Sequence, residues 1–244
     1  MEWDNSGLAF PMRAASRFPS FPPHRWVIGV AACVLGIGCA LAADLGFSRS
    51  VTPGLTARLE ARFGARAKPR LEGWSAFVRD AETRAKARPN AGDIEPLGGA
   101  NAFFNRIPAV EDAVHWGQED YWATPAETIA SNGADCEDFA ITKYFTLKEL
   151  GVPVSRLRIV YVRSGASRSA HMVLAYYRSP QDDPLILDNL EGSIRPASDR
   201  PDLVPVYTFN DEDLVVVGQG QRVSPSSNRK WKDLLARLEA ELRQ

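Results

Sequence analysis

Residues 125–188 constrain the fold more than any other stretch. Pro125 to Leu150 reads as a helical region whose main helix starts near Asp135 or Cys136, and Gly151-Val152-Pro153 stops it. Three short runs rich in β-branched and aromatic residues follow: Leu157 to Val162, His171 to Tyr177, and Leu185 to Asp188. The Ser- and Gly-rich 163–169 separates the first two, and Pro180 to Pro184 separates the second two. Turns this short join antiparallel neighbours. The pattern therefore predicts an α+β chain with a central helix on an antiparallel sheet. Val206 to Asn210 and Leu214 to Val217 read as short closing strands, and 191–206 as a loop.

Helices are expected on either side of this unit. Thr52-Pro53 reads as N-cap and first helical residue, with Leu55, Leu59 and Phe63 at helical spacing. Gly64 to Arg70, ending in Lys-Pro-Arg, reads as a break. A second helix is expected over Trp74 to Arg88, closed by Pro89-Asn90-Ala91-Gly92. Residues 93–124 read as short helices and loops rich in aromatic side chains. Ser224 to Asn228 reads as a polar linker. Lys230 to Arg243 follows as an amphipathic helix with Trp231, Leu234, Leu235, Leu238 and Leu242 on one stripe. The division expected is 1–43, an N-terminal region; 44–92, a helical segment; 93–223, the core; and 224–244, a C-terminal helix.

Residues 26–43 form an apolar run of 18 residues, WVIGVAACVLGIGCALAA, behind Arg13, Arg17 and Arg25. A positive flank, an apolar stretch and small residues at Ala40 and Ala42 fit a signal peptide. The rival is an uncleaved membrane anchor, since the run is at the short edge of a span. A lipoprotein reading at Cys39 is weakened by Gly36. Either main reading sends residues 44–244 across the inner membrane. The exported part then keeps a single cysteine, Cys136. In an oxidising compartment such a thiol is either buried and inert or kept for chemistry.

Composition removes several classes. Lys plus Arg is 29 against 30 Asp plus Glu, so the basic footprint of a nucleic-acid binder is absent. Three cysteines and three histidines at these spacings build neither a disulfide framework nor a zinc cluster. Scarcity also shortens the catalytic search. Cys136 follows Asn132-Gly133-Ala134-Asp135 and precedes the apolar Phe139, Ala140, Tyr144, Phe145 and Leu147. That places the thiol at a helix N-terminus, where free N–H groups and the macrodipole favour thiolate and can bind an oxyanion. The other reading is a small buried side chain. Trp122, an N–H donor, is a candidate second oxyanion donor, with buried packing as the alternative.

A nucleophilic cysteine needs a base and a group that orients the base. His171 opens one expected strand and Asp188 ends the next, so a hairpin can set them side by side. His115 lies in an aromatic loop with no acid partner in a strand, and a structural role is expected for it. Asp135, Glu137 and Asp138 flank the thiol and oppose its ionisation. They are either helix-capping carboxylates or oxygen donors for a hard cation such as calcium. The spacing is not that of an EF-hand.

The ordered runs Asp135-Cys136-Glu137-Asp138-Phe139-Ala140, Leu157 to Val162, Ala170-His171-Met172-Val173-Leu174-Ala175-Tyr176-Tyr177 and Leu187-Asp188-Asn189-Leu190 resemble the bacterial transglutaminase-like cysteine proteases. Asp120 to Pro125 and Pro205 to Asn210 agree as well. The resemblance spans roughly 50–220 and implies a papain-like, transglutaminase-like core. It implies a triad of Cys136, His171 and Asp188, and calcium dependence with Asp135 and Glu137 as ligands and Asp138 as a further candidate. It also implies a periplasmic endopeptidase. Its substrate would be the N-terminal retention segment of a large repeat adhesin, cut between two alanines. Its control would come from the periplasmic domain of an inner-membrane cyclic-di-GMP receptor, with release of the adhesin promoting biofilm dispersal. An acyl transferase using the same triad and a non-catalytic binding module are the alternatives.

Overall fold

The structure, a computed structural model, describes residues 18–20, 51–88, 92–165, 168–219 and 221–243. The apolar run at 26–43 and the closure at 89–91 lie outside the described residues. Seven α-helices and seven strands are assigned among those described. Helix α1 spans Pro53–Phe63, α2 Ala67–Ala87, α3 Ile94–Phe104, α4 Asp112–His115, α5 Pro125–Ser131, α6 Cys136–Glu149 and α7 Arg229–Leu242. The strands are β1 Leu157–Ser164, β2 Ser169–Tyr176, β3 Leu185–Leu187, β4 Arg195–Pro196, β5 Leu203–Phe209, β6 Leu214–Val216 and β7 Arg222–Val223.

The strands form one sheet in the order β4-β3-β2-β1-β5-β6-β7, every neighbouring pair antiparallel. Helix α6 lies on it as the central element. From Glu137 to Leu147 every side chain of α6 is buried, as expected of a helix enclosed on all sides. One apolar core runs from Leu55 of α1 through α6 and the inner face of the sheet to Trp231, Leu234 and Leu238 of α7. The flanking helices therefore share a core with the sheet. On the sheet's other face Val160, Val162, Val173, Ala175 and Ile186 cluster with Phe18.

Local signals explain most element ends. Thr52 Oγ accepts from Leu55 N–H to cap α1. Thr124 and Glu127 form a reciprocal capping box at α5, with Pro125 in its first turn. Asn132 ends α5 in the left-handed region (φ 60°), which asparagine tolerates better than most residues.

Several expectations are corrected. The break between the first two helices is confined to residues 64–66. Pro69 lies in the first turn of α2, where a backbone N–H has no intrahelical partner to lose. The expected loop at 191–206 contains β4 and the start of β5. β5 is an interior strand, paired with both β1 and β6, and β7 was not foreseen. β2 begins at Ser169, so His171 is its third residue. On α7 the buried stripe includes Glu241 rather than Leu242.

Candidate active site

Cys136 is the first residue of α6, at the end of the loop that leaves α5. That loop is pinned from outside. Val110 N–H donates to Ala134 C=O (2.9 Å) and Ala134 N–H to Pro108 C=O (3.2 Å). Gly133 faces the His115 ring so closely that a Cβ there would meet Nδ1 at 2.7 Å. His115 thus packs on the nucleophile loop, in keeping with the structural role expected for it. Its ring also meets Trp116 edge to face.

β2 passes beneath the N-terminus of α6. Met172 N–H is directed at the Cys136 sulfur. Its neighbour His171, 5% exposed, holds Asp188 through Nε2···Oδ1 at 2.9 Å. That contact leaves Nδ1 as the free ring nitrogen. Asp188 is held on every side. Its Oδ1 also accepts Leu190 N–H (3.0 Å), its Oδ2 accepts Arg200 Nη2 (2.9 Å), and its carbonyl accepts Asn105 Nδ2 (2.8 Å). Burial works to raise Asp188, but the hydrogen bond and charge of His171, with Leu190 and Arg200, hold it at about 2. The carboxylate is therefore charged throughout the physiological range.

Cys136, His171 and Met172 line one cleft of about 620 Å³, together with Trp122, Tyr161, Tyr207, Leu214, Val216 and the acidic side chains Glu111, Glu119, Asp120, Asp135 and Glu137. Tyr161 and Tyr207 stack at 4.9 Å along one wall. Trp122 is buried, and its ring stacks on Phe209 at 5.7 Å, which is a packing role.

Capping alone does not account for the three acids beside the thiol. Asp135 sits at the N-cap of α6 without a side-chain cap bond. Glu137 accepts from the Cys136 thiol (3.1 Å), and Asp138 Oδ1 accepts Ala123 N–H (2.7 Å). Instead they converge with two acids from other elements. Oxygens of Asp112, Asp135 and Asp138 lie within 4.8 Å of one another, as do those of Asp112, Asp120 and Glu137. Oδ1 of Asp112, Oδ1 of Asp135 and Oδ2 of Asp138 are buried and make no hydrogen bond. Burial pushes Asp135 up to about 9, reinforced by the charges of Glu137, Asp138 and Asp112. Burial also raises Asp112, Glu137 and Asp138. Burial, then Glu137 and Asp135, pushes the Cys136 thiol up, so it rests protonated on Glu137. Crowded carboxylate oxygens with unpaired lone pairs suit a hard divalent cation.

Sequence reasoning named Asp135, Glu137 and Asp138 but missed Asp112 and Asp120, which come from α4 and the loop after it. It also missed Arg200 and Asn105 behind Asp188. Asp120 stood within a recognised run, yet nothing in its spacing marked it as an oxygen donor.

A family model described as bacterial transglutaminase-like cysteine proteinase (Peptidase_C93) matches residues 78–203. No curated protein sequence matches the chain. Among solved structures, the EGTA-treated form of LapG from Legionella pneumophila is 37% identical, with a TM-score of 0.65, covering 76% of this chain and 96% of that one. The calcium-bound form of the same protein is 38% identical, with a TM-score of 0.63, covering 76% and 98%. The match in sequence, fold and length of coverage establishes that this chain belongs to the bacterial transglutaminase-like cysteine proteinases.

Proposed function

We propose that the protein is a calcium-dependent cysteine endopeptidase with Cys136 as nucleophile, His171 as base and Asp188 as orienting carboxylate. The observation that carries this reading is the buried His171–Asp188 pair at 2.9 Å, opening onto the same cleft as Cys136. His171 Nδ1 takes the thiol proton and the sulfur attacks the peptide carbonyl. The backbone N–H groups of the first turn of α6 stabilise the oxyanion. His171 then protonates the leaving amine, and water, deprotonated by the same imidazole, releases the acyl group. Asp188 fixes the imidazole so that Nδ1 faces the thiol and supports its positive form.

Asp112, Asp135, Glu137 and Asp138, with Asp120 at the rim, would hold the calcium. When bound, the ion supplies the positive charge that offsets these carboxylates beside the thiol. The calcium-bound form of the Legionella relative supports the choice of ion.

The substrate we infer is the N-terminal segment of a large surface adhesin, cut between two alanines in the periplasm, with loss of the adhesin promoting biofilm dispersal. The periplasmic domain of an inner-membrane cyclic-di-GMP receptor would restrain the enzyme. Support for these comes from the family resemblance, and a cleft of this volume is of ligand-binding size. The test is to incubate the protein with the N-terminal segment of a large adhesin from the same cell, with calcium or with EGTA, and to read the products by mass spectrometry. Cleavage with calcium alone, abolished by Cys136→Ala, is expected. Cleavage that persists in Cys136→Ala would end the nucleophile assignment.

A further inference from the structure

The family match ends at residue 203, yet the acidic cluster is braced by α7, which lies beyond it. The brace acts on residues 120–123. Asp120 is one member of the cluster, and Tyr121 N–H bonds Asp112, a second member. Ala123 N–H bonds Asp138, a third. The geometry of three candidate oxygen donors thus depends on one short backbone segment.

That segment is gripped by α7. Arg237 Nη1 donates to Tyr121 Oη and to Glu127 Oε2, both at 2.7 Å, and Nη2 donates to the Trp122 carbonyl. The guanidinium also lies over the Tyr121 ring, 4.5 Å from its centroid. Glu127 in turn accepts from Tyr121 Oη at 2.9 Å. The second contact has the opposite sense. Lys230 Nζ sits 2.7 Å from an Asp120 carboxylate oxygen and donates to the Asp120 carbonyl at 2.6 Å. An ammonium on that carboxylate offsets the negative charge that would attract a divalent ion.

We propose that α7 is the positioning element of the cation site: Arg237 presets residues 120–123 for the ion, and Lys230 competes with the ion for Asp120. The inference rests on the calcium reading above, and it predicts effects of opposite sign from two residues of one helix. Loss of a group that orients metal ligands typically weakens binding about 10- to 100-fold. An exposed ion pair is worth little, so its removal changes affinity only a few-fold.

The experiment is calorimetric titration of calcium into the metal-stripped full chain, with no substrate present. Arg237→Ala should weaken binding about tenfold or more, with Arg237→Lys between it and the wild type. Lys230→Gln should tighten binding about two- to fivefold. Should Arg237→Ala fail to fold, Tyr121→Phe removes only the phenol oxygen that Arg237 holds, and about threefold weaker binding is expected. A purely structural role for Arg237 would lower the melting temperature of the metal-free protein and leave calcium affinity unmoved. Affinities of Arg237→Lys and Tyr121→Phe within twofold of wild type would overturn the positioning role. Weaker binding by Lys230→Gln would overturn the competition. A wild type that binds no calcium would sink the calcium reading first, and this inference with it.

Discussion

Asp188→Asn separates what charge does at this site from what packing does. The carboxyl is held at about 2 against an ordinary 3.8 although burial pushes it upward. Favouring the charged form to that degree is worth roughly 2 kcal/mol. The folded value lies below the unfolded one. The contribution is therefore fully present above about pH 4 and lost as pH falls through 2. Asparagine keeps the shape and one acceptor oxygen, but it cannot accept with charge from both His171 and Arg200. At pH 7 the variant should be less stable by about 2 kcal/mol in urea melts, and the gap should close as the pH falls toward 2. Turnover should fall roughly 10²- to 10⁴-fold, because the imidazole loses both its orientation and its counter-charge. A stability gap of the same size at pH 7 and pH 2.5 would show that packing, rather than charge, makes Asp188 matter, and the reasoning would fail.

Three further outcomes are expected. Gly133→Ala drives a methyl into the His115 ring and should cost about 1–3 kcal/mol in denaturant melts; adding His115→Ala should recover most of it, and a double variant no better than the single one would exclude the clash. Trp231→Ala empties a fully buried position stacked on Phe145 and should cost about 3–5 kcal/mol by the same measurement, whereas a cost below 1 kcal/mol would mean that α7 is not part of the core. Calcium at a hundred times its Kd should stabilise the protein by about 2.7 kcal/mol in thermal melts, EGTA should remove the effect, and Asp138→Asn should diminish it; a melting temperature indifferent to calcium would refute the site.

The parts of the molecule legible in its sequence are those with local causes. The start of α6 at Cys136 follows from a polar Gly-containing loop before an apolar run, and the hairpins follow from β-branched runs between turn residues. The His171–Asp188 contact was legible too, because adjacent strands of a short hairpin leave few partners. Pairings made across the fold were not legible. Asp112 reaches Asp135 and Asp138 only after α4 folds back on the α5–α6 loop. Arg200 meets Asp188 from the end of a turn of 3-10 helix inside what reads as a loop. The two-residue strands β4 and β7 are too short to carry a periodicity. Pro69 misled because its meaning depends on where the helix starts, and α2 starts three residues after Gly64.

Cys136 belongs to the helical layer, His171 to the sheet, and Asp188 follows directly on strand β3. The two halves of the machinery sit in different layers, so the reaction depends on registration between them. A slip of about one ångström between reacting groups can cost a hundredfold in rate even when every bond within each group survives. The α6 side chains buried in the shared core, Phe139 and Tyr144 among them, therefore serve as shims. Substitutions there should leave the His171–Asp188 bond intact and the fold standing while detuning turnover. Such a pattern is easily mistaken for a defect in the chemistry itself.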